Sequence, residues 1–132
     1  IEAQPTMIVR LTPEIFWPSL QEPDRLHIVF HYGETCGPCK VTRQAYQDLV
    51  QHFYDHGIRK VLFYDFHQWQ PEYKPFIQEH NLKVPGVPTF RAYFMGELLW
   101  ERTAGFTDAN LLKAEIVPLI ESLQKTMGFS II

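Results

Sequence analysis

Apolar and polar positions in this chain follow two kinds of pattern. Leu26 to Tyr32 and Val61 to His67 are short runs, apolar on both faces in part, which predicts two buried strands. Val41, Ala45, Leu49 and Phe53 recur at four-residue steps and predict one continuous helix from Lys40 to His56, with Gly57 as its stop. Leu112, Ile116, Leu119, Ile120 and Leu123 form the apolar face of a last helix, opened by Thr107-Asp108 and expected to kink at Pro118. Thr6 to Arg10 reads as a short strand, and Ile1 to Pro5 as a loose end. A short helix follows, with Thr12 as N-cap and Pro13 in the first position, ending before Pro23. Gln68 to Lys74 reads as a polar and aromatic loop leading into a short helix that ends near Asn81. Thr89 to Phe94 and Leu98 to Arg102 are strands joined by a hairpin at Met95-Gly96-Glu97. Gly128 to Ile132 is an apolar tail to which the pattern assigns no role. The order is β-α-β-α-β-α-β-β-α. Alternating strands and helices imply a parallel sheet, and the late hairpin makes it mixed. The fold class is therefore α/β, a mixed central sheet flanked by helices, as a single domain over residues 1–132.

Composition sharpens this picture only in places. Hydrophobic residues are 45% of the chain, and nineteen aromatics make the expected core bulky. A formal net charge of −3 without a basic cluster argues against nucleic acid as a direct ligand. No apolar run approaches the roughly 20 residues of a membrane span, so no membrane partner is expected. Ile1 is not a methionine, and a removed targeting segment is compatible with it, although none is visible. With two cysteines and no second pair, the expected location is intracellular, in the cytoplasm.

Those two cysteines carry the candidate chemistry. Cys36-Gly37-Pro38-Cys39 sits between a predicted strand and a predicted helix. Two intervening residues at a helix start bring the Cα atoms within the roughly 4.4–6.8 Å that a disulfide requires. Unpaired N–H groups at a helix N-terminus favour a thiolate at Cys36, and the thiolate is the attacking species in disulfide exchange. Pro38 fits the first turn, where its missing N–H is not needed. Gly37 leaves room beside the reactive sulfur. Cys36 is expected to be the exposed attacking thiol and Cys39 the resolving one.

A zinc site is the competing reading, because Cys36-x2-Cys39-x12-His52-x3-His56 has zinc-finger spacing. A continuous helix places Cys39 and His52 about 20 Å apart, whereas ligands of one zinc ion lie within about 4 Å of each other. No metal is therefore expected.

The chain resembles the thioredoxin family over Thr6 to Leu123. Cys36-Gly37-Pro38-Cys39-Lys40 resembles the redox motif, and Val87-Pro88-Thr89 the cis-proline segment. Met95-Gly96-Glu97 resembles the hairpin turn, and Ala104-Gly105-Phe106 the glycine segment before the last helix. The resemblance implies the thioredoxin fold, a cis Pro88 lying against Cys36, and a Val87 backbone that pairs with a substrate strand. It also implies a groove lined by Thr35, Gly86, Val87, Pro88, Gly105 and Phe106. The implied activity is dithiol–disulfide exchange on protein substrates, in the reducing direction by resemblance of the Gly-Pro pair. It needs no cofactor beyond the Cys36–Cys39 disulfide, and a thioredoxin reductase or another dithiol is the implied electron donor. A monomer is expected. The alternative is a binding module or accessory subunit on the same scaffold, since fold alone does not settle function.

Departures from the family pattern gather around the motif. Phe30 stands where the family has a buried aspartate, and Phe63 aligns with its lysine partner. Thr35 replaces the tryptophan before the first cysteine, and Gln44 the proline of the second helix. The loop after the third strand is longer than usual and holds Trp69 and Tyr73. Proton transfer to and from Cys39 is the step these changes bear on.

Overall fold

A computed structural model describes residues 8–131. The expected loose end Ile1 to Pro5 lies outside the described residues, as do Thr6, Met7 and Ile132. The elements are β1 (Ile8–Arg10), α1 (Phe16–Leu20), β2 (Leu26–Tyr32), α2 (Gly37–Asp55), β3 (Val61–His67), a 3-10 turn at Pro71–Tyr73 running into α3 (Lys74–Glu79), β4 (Thr89–Phe94), β5 (Glu97–Thr103) and α4 (Ala109–Met127). The five strands form one sheet in the order β1-β3-β2-β4-β5. β1, β3 and β2 are parallel, while β4 runs antiparallel to both β2 and β5.

The sheet separates two cores. Ile28, Phe30, Phe63, Phe90 and Ala92 face α2 and α4 and pack with Ala45, Tyr46, Leu49, Ile116 and Ile120. Val29, Tyr64, Phe66 and Tyr93 face the other way and pack with Phe16, Leu20 and Ile77. Alternation along each strand sends successive residues to opposite layers, and because both layers are apolar the strands read as continuous runs. The Tyr46 hydroxyl pins α2 to the sheet. It lies 2.8 Å from the Tyr64 carbonyl and 3.1 Å from that of Ile28, and it accepts the Tyr64 N–H at 3.0 Å.

Several sequence expectations are corrected in detail. α1 begins at Phe16 rather than after Thr12. Its N-cap position is Ile15, without a side-chain cap, and the Thr12 carbonyl instead accepts the Ile15 N–H at 3.1 Å. Pro13 thus serves a turn that precedes the helix, a role its fixed φ suits equally well. Val41 is not part of the buried face of α2 and is exposed. A strict four-residue step overshoots each 3.6-residue turn by about 40°, so the face runs instead through Cys39, Thr42, Ala45, Tyr46, Leu49, Val50 and Phe53. α4 runs from Ala109 to Met127 with Pro118, exposed, inside it. Asp108 is the N-cap of that helix and accepts from the N–H groups of Asn110 and Leu111. The apolar tail acquires a role. Gly128 ends α4 at φ 65°, and Phe129 turns back, buried, to meet Phe94 edge-on at 5.5 Å, within the roughly 4.5–7 Å typical of such pairs.

Candidate functional site

The site forms where β2 hands over to α2. Gly33 accepts the Cys36 N–H at 3.4 Å, closing a turn that delivers Cys36 to the N-cap of α2 in an extended conformation. The Cys39 N–H points back at the Cys36 sulfur, 3.1 Å away, as a cap donor does. A disulfide joins Cys36 and Cys39, with Cα atoms 5.2 Å apart. Pro38 occupies the first turn. The expectation of an exposed Cys36 is corrected for this oxidised form. Cys36 is 6% exposed and Cys39 3%, so both are buried. A disulfide folds Cys36 back over the helix start, and the surrounding surface belongs to Thr35, Gly37 and Pro38, all exposed. A Cβ at Gly37 would meet nothing within 4 Å, so room beside the sulfur does not depend on the glycine.

Two further segments close on the pair. The Val87–Pro88 bond is cis, and the Val87 carbonyl oxygen lies 3.8 Å from the Cys36 sulfur. Thr89 holds this loop. Its hydroxyl donates to the Gly86 carbonyl at 2.5 Å and lies 2.8 Å from the Thr103 hydroxyl on β5. The segment before α4 is held by Thr42, one turn beyond Cys39, whose hydroxyl accepts the Phe106 N–H at 2.9 Å. Gly105 makes that approach possible, since a Cβ there would stand 3.3 Å from the Thr42 oxygen and 3.7 Å from Pro38. Of the predicted groove residues, Thr35 precedes Cys36, the Val87 carbonyl lies beside its sulfur with Gly86 and Pro88 on either side of Val87, and Gly105 lies next to Pro38. Phe106 is placed differently, with its ring buried edge-on to Phe90 at 5.7 Å. The sequence does not single out Thr42, and it marks Thr89 only as part of the Val87-Pro88-Thr89 segment. Their signal was weak: a polar residue on the buried face of a helix, and one beside a proline.

Behind the disulfide the site is aromatic. Phe30 has no exposure, stacks on Phe90 at 5.0 Å and meets Tyr46 at 5.4 Å. The buried carboxylate of this region is Asp65, the β3 residue in register with Phe30. Arg10 reaches it at 2.7 Å and Arg43 at 2.9 Å, so both of its oxygens are engaged. The Arg43 guanidinium lies 4.6 Å over the Tyr32 ring and 5.2 Å over Phe30. Burial pushes the Tyr46 hydroxyl pKa well up, so it stays protonated as a structural donor. Burial likewise pushes His31 down to about 3, with Gln68 bonded to its Nδ1 at 2.8 Å.

The zinc spacing has no geometric basis here. α2 is continuous from Gly37 to Asp55 and carries Cys39 and His52 more than three turns apart. The His52 Nε2 lies 3.1 Å from the Lys113 ammonium, and burial followed by that ammonium lowers its pKa. Among the described residues no group of three or more His, Cys, Asp or Glu is placed to hold a metal. No helix among them is long and apolar enough to cross a membrane.

Residues 7–117 match the family model described as thioredoxin. A chloroplastic F-type thioredoxin of Mesembryanthemum crystallinum is 30% identical over 76% of this chain and 49% of its own length. The chain thus spans about half the length of the curated relatives it matches. Thioredoxin f from spinach chloroplast, in its short form, is similar in structure, with a TM-score of 0.67 at 25% identity over 86% of this chain and 95% of that one. A crystal structure of a ferredoxin:thioredoxin reductase and thioredoxin f2 complex contains a similar chain, with a TM-score of 0.70 at 24% identity over 86% of this chain and 94% of that one. These relatives correct the expectation of a cytoplasmic location, because the F-type thioredoxins are chloroplastic. Cysteine usage reports how reducing a compartment is, and it does not distinguish one reducing compartment from another.

Proposed function

We propose that this chain, which belongs to the thioredoxin family, is a dithiol–disulfide oxidoreductase that reduces protein disulfides through Cys36 and Cys39. The observation that carries this reading is the disulfide at the N-cap of α2 with the Val87 backbone 3.8 Å from its outer sulfur. In its dithiol form the cysteine pair supplies the electrons, and the Val87 backbone holds the substrate beside it.

In the dithiol form, the Cys39 N–H and the other unpaired N–H groups of the first turn stabilise a Cys36 thiolate. A substrate strand pairs with the Val87 backbone and presents its disulfide. The Cys36 thiolate attacks one substrate sulfur, and the other leaves as a thiolate that takes up a proton. Cys39 then loses its proton and attacks the Cys36 sulfur of the mixed disulfide. The second substrate thiol is released, and the Cys36–Cys39 bond forms. The substrate gains two electrons and two protons; the chain loses two electrons and the Cys39 proton, and the other proton, already given up when Cys36 ionised, comes from solvent. No carboxylate stands at position 30, so the Cys39 proton passes to water or to the departing substrate thiolate.

A reductase must return the two electrons. The complex of a similar thioredoxin f2 with ferredoxin:thioredoxin reductase supports a reductase of that class as the donor. The chloroplastic relatives support a plastid location. Thr35, Gly86, Val87 and Gly105 form the substrate groove, and the chain works as a monomer.

The test is reduction of insulin by catalytic amounts of the chain with dithiothreitol as donor, together with the reduction potential of the Cys36–Cys39 couple. Catalysis with a potential below that of glutathione supports the reading. A scaffold without oxidoreductase activity leaves the dithiothreitol rate unchanged.

A further inference from the structure

A cleft of about 750 Å³ opens where the loop after β3 meets the segment leading into Pro88. Trp69, Lys74, Lys83, Val84, Pro85 and Gly86 are among its walls. Two contacts tie it to the disulfide. Gly86 immediately precedes Val87, whose carbonyl lies beside the Cys36 sulfur. Trp69 is seated on Gly33, in the turn that leads to Cys36, and a Cβ at Gly33 would overlap its ring. The cleft therefore begins one residue from the strand edge, and its aromatic wall rests on the turn that positions the attacking sulfur.

The cleft is built before anything occupies it. The Gln68 side chain is held from both ends, by His31 at 2.8 Å and by the Leu82 carbonyl, to which it donates at 3.0 Å. Trp69 is nonetheless 51% exposed, a large apolar surface left facing water beside the site. The ionisable residues of the lining are Lys74 and Lys83, with no carboxylate among them, in a chain of net charge −3. Its volume falls in the range of about 300–1,000 Å³ usual for ligand pockets.

We propose that this cleft is a second substrate subsite, which takes an apolar side chain of a polypeptide substrate with a neighbouring carboxylate that meets Lys74 and Lys83. It rests on the reading of the chain as a reductant of protein disulfides. A strand advances about 3.3 Å per residue, so a substrate paired at Val87 reaches the cleft about two to four residues from its reacting cysteine. The disulfide groove then supplies the chemistry, and the cleft selects among disulfides by their flanking sequence.

The test uses the dithiothreitol-reduced chain and synthetic disulfide-bonded peptides. Members of each pair differ only in carrying Phe-Asp or Ser-Asn three residues from the cysteine, on its N-terminal side in one pair and its C-terminal side in the other. In at least one pair, kcat/KM is expected to favour Phe-Asp about tenfold, with the preference shrinking in high salt. In Lys74→Glu/Lys83→Glu the preference should fall severalfold, while reduction of bis(2-hydroxyethyl) disulfide, too small to reach the cleft, stays unchanged. Equal kcat/KM within both pairs, with normal reduction of the small disulfide, overturns the subsite and leaves the oxidoreductase reading standing. Failure to reduce even the small disulfide overturns both. A concentration-dependent dimer that the lysine variant dissolves, with no peptide preference, makes a second copy the occupant and overturns the proposal.

Discussion

Replacing Phe30 by aspartate restores the residue type that the family places behind its disulfide, and the structure sets what this costs. Phe30 is fully buried against Phe90, Tyr46 and Tyr32. Removing a buried phenylalanine ring costs about 3–5 kcal/mol through lost transfer energy and the cavity it leaves. The new carboxylate would have Arg43 about 5 Å to one side and Asp65 on the adjacent strand. At an effective dielectric of about 20, each unit-charge interaction at that range is about 3 kcal/mol, and the two have opposite signs. They nearly cancel, so lost packing and desolvation decide the outcome. Phe30→Asp should destabilise the chain by about 4 kcal/mol, lowering Tm by about 10–20 °C. Desolvation raises the new carboxyl pKa above its unfolded value. A raised folded pKa gives stability that is full below the unfolded value, about 3.9, and lost as pH rises through the folded one. The deficit against wild type should therefore be larger at pH 7.5 than at pH 4.5. Phe30→Leu, which loses ring contacts without adding charge, should show no such pH dependence. In single-turnover reduction of a peptide disulfide near pH 7, the aspartate variant should speed release from the mixed disulfide, since a general base typically contributes about 10²–10⁴-fold. Urea unfolding at the two pH values and quenched-flow kinetics make both measurements. A variant as stable as wild type with an unchanged rate would refute the placement of Phe30 behind the disulfide.

Cys36→Ser should abolish turnover, while Cys39→Ser should accumulate mixed disulfides visible by mass spectrometry; multiple turnovers by Cys36→Ser would contradict the assigned order of attack. Asp65→Asn should cost about 2–3 kcal/mol in urea unfolding, below the usual 3–5 for a broken buried pair because Arg10 and Arg43 keep partial access to water; a loss under 0.5 kcal/mol would show that the pairs add nothing net. His31 titrates near 3 when folded and near 6.5 when unfolded, so its contribution is full above pH 6.5 and falls by up to about 1.4 kcal/mol per pH unit as pH drops towards 3. His31→Leu should flatten the acid side of the Tm–pH curve, and parallel curves for the two proteins would count against this.

The sequence by itself determined the element order, the two buried central strands, the hairpin and the cysteine pair at a helix start. Each rests on a local cause: apolar runs, a glycine-bearing turn, or two cysteines at a spacing a helix start can bridge. The family resemblance, carried by short motifs, extended this to the cis bond before Pro88. Local pattern failed where a residue suits two roles. Pro13 fits a turn as well as a helix start, and Val41 fits a four-residue stripe while standing outside the real helical face. Only the tertiary structure decided which layer each residue meets. Thr42 became a clamp on Phe106 because Gly105 lets two distant segments touch, and Phe129 became core because α4 ends where its chain can turn back onto Phe94. The region behind the disulfide shows the limit best. Phe30 and Asp65 are legible as letters, but their adjacency depends on the register of β2 against β3, and the two arginines on Asp65 arrive from β1 and α2. Contacts between residues far apart in the chain leave no local trace, because no periodicity along one segment records which partner the fold brings to it.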